Sequence, residues 1–139
     1  MITTTEVKVR YGETDQMGVV YHANYVVYLE LGRTDFINNL GFEYHDMESE
    51  GYVSPVLSIQ LNYKKALTYG ETASIATWLE AYDGLRTTYG YRISNAKDET
   101  CAEGHSVHLC VKKDSFRPVP LRKAFPEWDQ AYKNVLKEI

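Results

Sequence analysis

Asn24-Tyr-Val-Val-Tyr-Leu-Glu-Leu-Gly-Arg-Thr-Asp-Phe-Ile-Asn-Asn-Leu40 is the stretch on which the fold turns. Tyr25, Tyr28, Leu29, Gly32, Phe36 and Leu40 recur at helical spacing and mark one face. Gly32 lies on that face, where glycine costs about 1 kcal/mol relative to alanine. Its use there is to let another backbone come close. Gly41 is a natural C-cap residue, and Asn24 is expected to cap the N-terminus. One long apolar helix of this kind needs a sheet to cover it.

The rest of the chain supplies that sheet. Residues 3–10 alternate, with Thr5, Val7 and Val9 opposite Glu6, Lys8 and Arg10, as in a half-buried strand. Residues 42–52 have no single period and read as a loop with a helical turn. After Pro55, Leu57, Ile59, Leu61 and Tyr63 fall on one side of a second strand. Ala73, Ile75, Thr77, Leu79 and Ala81 repeat the pattern. Asp83-Gly84 then signals a two-residue hairpin, and Leu85, Thr87, Tyr89, Tyr91 and Ile93 return. A turn at 95–99 leads into 103–111, with Val107, Leu109 and Val111 on one face and Ser106, His108 and Cys110 on the other. Pro118 and Pro120 end regular pairing. Pro126, followed by Trp128, Tyr132, Val135, Leu136 and Ile139, opens a short terminal helix. The expected class is α+β: one domain over 1–139, a long helix wrapped by a curved antiparallel sheet of about five strands, consecutive strands being joined by tight turns.

With 139 residues the chain buries a core without staples. A net charge of −4 gives no general attraction to nucleic acid or to an anionic membrane. Cys101 and Cys110 are expected as free thiols. The opening residues lack the charged and apolar regions of an export signal, and no apolar run approaches the roughly 20 residues that span a bilayer. A cytoplasmic location follows as an expectation.

The segment before the helix, Thr14-Asp-Gln-Met-Gly-Val-Val-Tyr-His22, is where a site is expected, although an Asp in a turn and a His near a helix start commonly serve only to cap or satisfy backbone. Asp15 and Gly18 suit a turn, since Asp bonds its own backbone and Gly admits positive φ. Unpaired N–H groups at the helix start suit an oxygen gaining negative charge. A carboxylate, the His22 imidazole and oxyanion donors would converge. His105-x-x-His108 is a poor metal pair, because positions three apart on a strand face opposite ways. No phosphate loop, dinucleotide fingerprint or nucleophile elbow is present.

Asp15-x-x-Gly18-Val-Val-Tyr21-His22-x-x-Tyr25, with Tyr28 and Glu30 following, resembles the opening motif of the 4-hydroxybenzoyl-CoA thioesterase family, in its bacterial acyl-CoA thioesterase branch. Tyr63-Lys64-Lys65-Ala66-Leu67-x-x-Gly70-Glu71 and Arg117-Pro-Val-Pro120 extend the likeness over nearly the whole chain. Ala66 and Glu71 stand where the family often has Pro and Asp.

The resemblance implies the hotdog fold and hydrolysis of an acyl-CoA thioester, with coenzyme A as part of the substrate and neither metal nor other cofactor. It gives Asp15 the part of nucleophile or general base, and His22 that of carbonyl-polarising backbone donor and imidazole. Gly18, Tyr21 and Tyr25 are expected to shape the acyl site. Lys64, Arg86, Arg122 and Lys123, with Lys65, are candidates for the coenzyme A phosphates. Acyl carrier protein is a further candidate partner, and a homodimer paired into a homotetramer is expected. Two other activities fit the same fold: a hotdog enoyl-CoA hydratase or dehydratase, and a non-catalytic acyl-CoA sensor.

Overall fold

The computed structural model describes residues 1–137, so Ile139 of the expected terminal helix lies outside the described residues. Helix α1 (Asn24–Asn39) lies against a five-stranded antiparallel sheet formed by β1 (Ile2–Lys8), β3 (Val56–Tyr63), β4 (Thr72–Tyr82), β5 (Thr87–Ser94) and β6 (Thr100–His108). The order across the sheet is β1-β4-β5-β6-β3. This is the hotdog arrangement. Two short strands, β2 (Tyr52–Val53) and β7 (Val111–Lys112), pair separately. Helices α2 (Tyr44–Ser49), α3 (Leu121–Ala124) and α4 (Pro126–Lys137) close one end.

Gly32 allows a close approach, but what comes close is the side chains of β4 and not another backbone. A Cβ there would overlap Thr77 Oγ1 and stand 2.6 Å from Ile75 Cγ2, so the glycine lets α1 settle directly on β4. Tyr28, Leu29, Phe36 and Ile37 are buried beside it. Beyond Leu40, Gly41 takes φ +94° and its N–H bonds to the Asn38 carbonyl at 2.9 Å, ending the helix. The N-terminal expectation needs correction. Asn24 is the first helical residue and not the cap; its side-chain amide instead donates to the Glu13 carbonyl at 2.9 Å.

Four details of the sheet depart from the sequence reading. The connection between β3 and β4 is not a tight turn: β3 lies at the far edge beside β6, and residues 64–71 cross to the opposite side. Alternation shows that a strand exists and leaves its neighbour open. In the hairpin, the Asp83 N–H bonds to the Arg86 carbonyl and the Asp83 carboxylate accepts the Leu85 and Arg86 amides, so Gly84-Leu85 forms the turn. A register shift between Leu79 and Ala81 then turns Ala81 outward and Tyr82 inward, where its hydroxyl donates to buried Asp129. In the second half of β6, Ser106 and His108 are buried and Val107 is only half-buried, so the polar face and not the apolar one turns inward. Hydrogen bonds link these polar groups, the Ser106 hydroxyl meeting Tyr91 Oη at 2.6 Å and His108 Nε2 at 2.7 Å, while His108 Nδ1 is buried without a partner among the described residues. Burial holds the His108 pKa down at about 3, so its ring is neutral.

The crossing segment positions everything that follows. Val20 donates to the Leu67 carbonyl at 2.8 Å, Val19 bridges Thr68, and Val9 and Gly70 exchange bonds with the Glu71 and Val9 carbonyls. Val9, Val19 and Val20 are thereby sewn to the crossing segment.

Candidate active site

Between β1 and α1 the chain makes a one-turn 3-10 helix at Tyr11–Glu13 and then a tight loop. Thr14 bridges Val20, the Asp15 N–H bonds to the Val19 carbonyl at 2.9 Å, and the Gly18 N–H returns to the Asp15 carbonyl at 3.0 Å. Gly18 closes this loop with φ +79°, which a residue with a Cβ rarely adopts. One carboxylate oxygen of Asp15, Oδ1, accepts the Met17 N–H at 2.8 Å. The other, Oδ2, has no hydrogen bond among the described residues. The carboxylate is therefore oriented by one oxygen and free to react through the other.

Asp15 opens onto a cleft of about 300 Å³ walled by Val19, Val20, His22, Tyr25, Tyr63 and Lys64. On its far side the edge strand supplies Tyr63, whose hydroxyl donates to the His22 carbonyl at 3.2 Å and whose ring meets that of Tyr25 edge-on at 5.2 Å. The N–H groups of Asn24, Tyr25 and Val26 are taken by the carbonyls of Tyr21, His22 and Ala23. Those of His22 and Ala23, just ahead of α1, have no acceptor among the described residues. They stand at the positive end of the helix dipole, where an oxyanion is stabilised.

Of the expected site residues, Asp15, His22, Tyr25 and Lys64 come together on this cleft. Gly18 acts through the loop's conformation. Tyr21 lies outside the cleft and packs its ring on that of His22 at 4.3 Å. Lys64 and Lys65 sit at the mouth, paired with Glu103 at 3.8 Å and Glu99 at 2.5 Å. Arg86, Arg122 and Lys123 do not join them within one chain. They cluster at the other end of the sheet, where the Leu121 N–H bonds to the Gly84 carbonyl. The length of β4, roughly 33 Å at 3.3 Å per residue, separates the two ends.

Two residues of this region escaped the sequence reading as parts of the site. In the sequence Tyr63 stands as the last apolar position of its strand and the first residue of the Tyr63–Glu71 motif, with no part in the site. Glu13 is the other: it is 7 % exposed, and its carboxylate accepts the Arg10 N–H at 2.8 Å and the Tyr28 hydroxyl at 3.0 Å. Its own carbonyl accepts Tyr21 N–H and the Asn24 side chain, both at 2.9 Å. Glu13 thus ties the Asp15 loop to the first turns of α1. A signal existed in the carboxylate two residues ahead of Asp15, but its partner, Tyr28, is 15 residues on.

Burial opposes ionisation of Glu13, yet the Arg10 amide, the Tyr28 hydroxyl and the Arg10 guanidinium outweigh it and hold its pKa below 4.5. A depressed carboxylate stabilises the fold above its unfolded pKa, and that contribution fades as pH falls through the native value. Glu13→Gln should therefore be less stable than wild type at neutral pH, the gap narrowing below about pH 4. Urea midpoints at both pH values measure this, and a gap independent of pH would count against it.

Residues 9–129 match the model of the thioesterase-like superfamily. Bacillus subtilis "Putative acyl-CoA thioesterase YneP" is 53% identical over 136 residues, covering 98% of this chain and 99% of that protein. The acyl-CoA thioester hydrolase YbgC of Escherichia coli is 28% identical over 118 residues, covering 85% and 88%. Among solved structures, a DHNA-CoA thioesterase from Staphylococcus aureus superposes with a TM-score of 0.96 at 44% identity, covering 98% of this chain and 91% of that one.

Proposed function

The chain belongs to the thioesterase-like superfamily, in its bacterial acyl-CoA thioesterase branch, and from that premise we propose that it hydrolyses an acyl-CoA thioester to a carboxylic acid and coenzyme A at the Asp15 cleft. The observation that carries this assignment is the Asp15 carboxylate, held by one oxygen and free at the other, beside two amides with no acceptor among the described residues. A thioester carbonyl lying against the His22 and Ala23 N–H groups is polarised for attack. Two routes use the same carboxylate. Asp15 Oδ2 attacks the carbonyl carbon and expels the thiolate, and water then cleaves the mixed anhydride; or Oδ2 takes a proton from water as that water attacks. A thiol with a pKa near 8.5 leaves readily, so no strong acid is required. The His22 imidazole, on the cleft wall, orients water or protonates the departing sulfur. Label found in Asp15 after single turnover in heavy-oxygen water identifies the nucleophilic route.

The functional unit in this reading is a homodimer. Strand β3 is an unpaired edge whose Val56, Leu57 and Ile59 are exposed, and α1 covers β1, β4 and β5 while leaving the inner side of β3 open. Pairing two such edges antiparallel makes one continuous sheet and removes both. The Val56 end of each β3 then meets the Tyr63 end of the other. That brings the partner's hairpin end, with its copies of the Arg86, Arg122 and Lys123 cluster, to the end holding this chain's Asp15. The lateral separation is about three strand spacings, roughly 14 Å. Basic residues far apart within a chain would so reach the phosphates of one coenzyme A. Two dimers pair again into a tetramer. The protein acts in the cytoplasm, consistent with the finding that no helix among the described residues is long and apolar enough to cross a membrane. An acyl carrier protein presents the same pantetheine arm and is a second candidate substrate.

Thiol release measured across short, medium and aromatic acyl-CoAs tests the activity; no release from any of them rejects it. The aromatic walls Tyr25 and Tyr63, and the DHNA-CoA thioesterase likeness, favour an aromatic acyl group. His22→Ala should lower turnover about tenfold, less than loss of Asp15, because its backbone donor remains. A loss in turnover equal to that of Asp15→Asn would make the imidazole an equal partner in the chemistry.

A further inference from the structure

Arg33 is the one guanidinium buried in the core among the described residues: it is 8 % exposed, and Nε donates to Tyr44 Oη at 3.0 Å while Nη1 donates to Tyr91 Oη at 3.4 Å. Among the described residues no carboxylate oxygen lies within 4.0 Å of it. A buried cation held only by hydrogen bonds to neutral phenols is costly, and such groups are as a rule paired. One turn earlier on α1, Glu30 is exposed and makes no ion pair or side-chain hydrogen bond among the described residues. A buried positive group and an exposed negative one therefore each lack a counter-ion.

Their places on the helix relate the two. Successive residues turn by about 100°, so Val26, Glu30, Arg33 and Ile37 share one flank of α1. The opposite flank carries Tyr28 and Asp35, and Asp35 accepts a hydrogen bond from Thr5 of β1 at 2.8 Å. With β1 on that side, the flank of Glu30 and Arg33 looks toward the open edge strand. Arg33 also marks a level along the sheet: its partner Tyr91 bonds Ser106, and Ser106 is paired with Ile59. Full antiparallel pairing of an edge running from Val56 to Tyr63 puts the two-fold axis between Ile59 and Gln60. Arg33 thus stands at the level of the axis, facing its own copy. Two like charges there need an anion between them.

Resting on the dimer proposed above, the geometry points to a reciprocal charge latch: Arg33 of each protomer pairs with Glu30 of the other across the two-fold. The interface is isologous, so one contact occurs twice; with Arg33 at the axis, Glu30 of one helix lies about 4.5 Å along the helix from the level of the other protomer's Arg33, within reach of the two long side chains. Val26 and Ile59, 38 % and 37 % exposed in the single chain, close over the pairs. The latch neutralises a charge that the isolated chain leaves uncompensated, and couples folding of the α1 face to assembly.

Complementary charge reversal tests this. Glu30→Arg alone sets a second guanidinium against the Arg33 of the other protomer, and its dimer dissociation constant should rise at least about a hundredfold in sedimentation equilibrium. Arg33→Glu alone opposes two carboxylates and should also be monomeric. Mixed in equal amounts, the two variants restore attractive pairing, and a one-to-one heterodimer with thiol-release activity should form. Glu127→Arg, at an exposed site on α4, controls for the change in net charge and should dimerise normally. If Arg33→Glu does not fold, the Glu30→Arg result decides alone, because Glu30 is exposed in the single chain. Glu30→Arg with an unchanged dissociation constant overturns the latch and leaves the dimer and the hydrolase standing. A wild type that sediments as a monomer overturns latch and dimer together, while thiol release reports separately on the activity.

Discussion

Asp15→Asn is expected to lower turnover by at least about a hundredfold, or roughly 2.7 kcal/mol in barrier, while the protein stays folded. The substitution separates the two tasks proposed for the two carboxylate oxygens. Oδ1 holds the loop by accepting the Met17 amide, and an asparagine carbonyl accepts the same bond. Oδ2 is the oxygen with no partner among the described residues, and an amide nitrogen in its place has its lone pair delocalised into the carbonyl, so it neither attacks carbon nor takes a proton. KM should stay within about threefold, since the walls of the cleft and the helix amides are unchanged. Asp15→Ala removes both oxygens and should add a stability loss of about 1 kcal/mol to the same kinetic defect. Thiol-release kinetics and urea unfolding on the two variants give the answer. Asp15→Asn with wild-type turnover removes Asp15 from the chemistry, and a merely structural role would show the loss of stability without the loss of rate.

Gly104→Ala should be the most damaging single methyl in the sheet, at about 3 kcal/mol. Gly104 of β6 faces Leu61 of β3, and a Cβ there would overlap the Gln60 carbonyl oxygen, 2.9 Å from the Gln60 carbonyl carbon and 3.1 Å from Leu61 Cα. All three are main-chain atoms, so no side chain can rotate aside. Strand β3 has to move away from β6, and it carries Tyr63, which holds the His22 carbonyl, and leads into Lys64 and Lys65 at the mouth of the cleft. It is also the strand through which the dimer is proposed to form. Loss of stability, a raised KM and a weakened dimer are expected together. Gly12→Ala, with nothing within 4 Å of the added carbon, should change stability by less than about 0.5 kcal/mol. Urea midpoints for the pair provide the comparison; equal midpoints would show that β3 yields without cost.

The glycines show where sequence reading reaches and where it stops. Gly32 stands out because a glycine on the apolar face of a long helix breaks a local rule, and the structure shows the close approach to Thr77 and Ile75. Gly104 and Gly90 impose the same kind of constraint, Gly90 against the Trp78 indole, yet glycines inside strands carry no such signal. Their reason lies in strands far off in sequence. The register shift at Glu80 has a similar origin. Alternation assigns Ala81 to the core, but the irregularity between Leu79 and Ala81 turns Ala81 outward and sends Tyr82 inward to Asp129 of α4.

The candidate site divides along the same line. Asp15, Gly18 and His22 are legible because the loop that carries them is closed by bonds between near neighbours: Met17 to Asp15, Gly18 to Asp15, Asp15 to Val19. Glu13's hold on Tyr28 and Tyr63's hold on His22 span 15 and 41 residues, and neither leaves a local trace.

By itself the sequence determined the elements: a long helix with one apolar, glycine-marked face, alternating strands to cover it, and a carboxylate in a turn at the helix entrance. Those properties follow from period, backbone freedom and short-range hydrogen bonding, which act over a few residues. Only the tertiary structure decided that β3 crosses to the far edge, that Ser106 and His108 face inward, and that Arg86, Arg122 and Lys123 stand a full strand length from Asp15. Each of these depends on which strands share a ladder, and a ladder is made between segments that no local pattern connects.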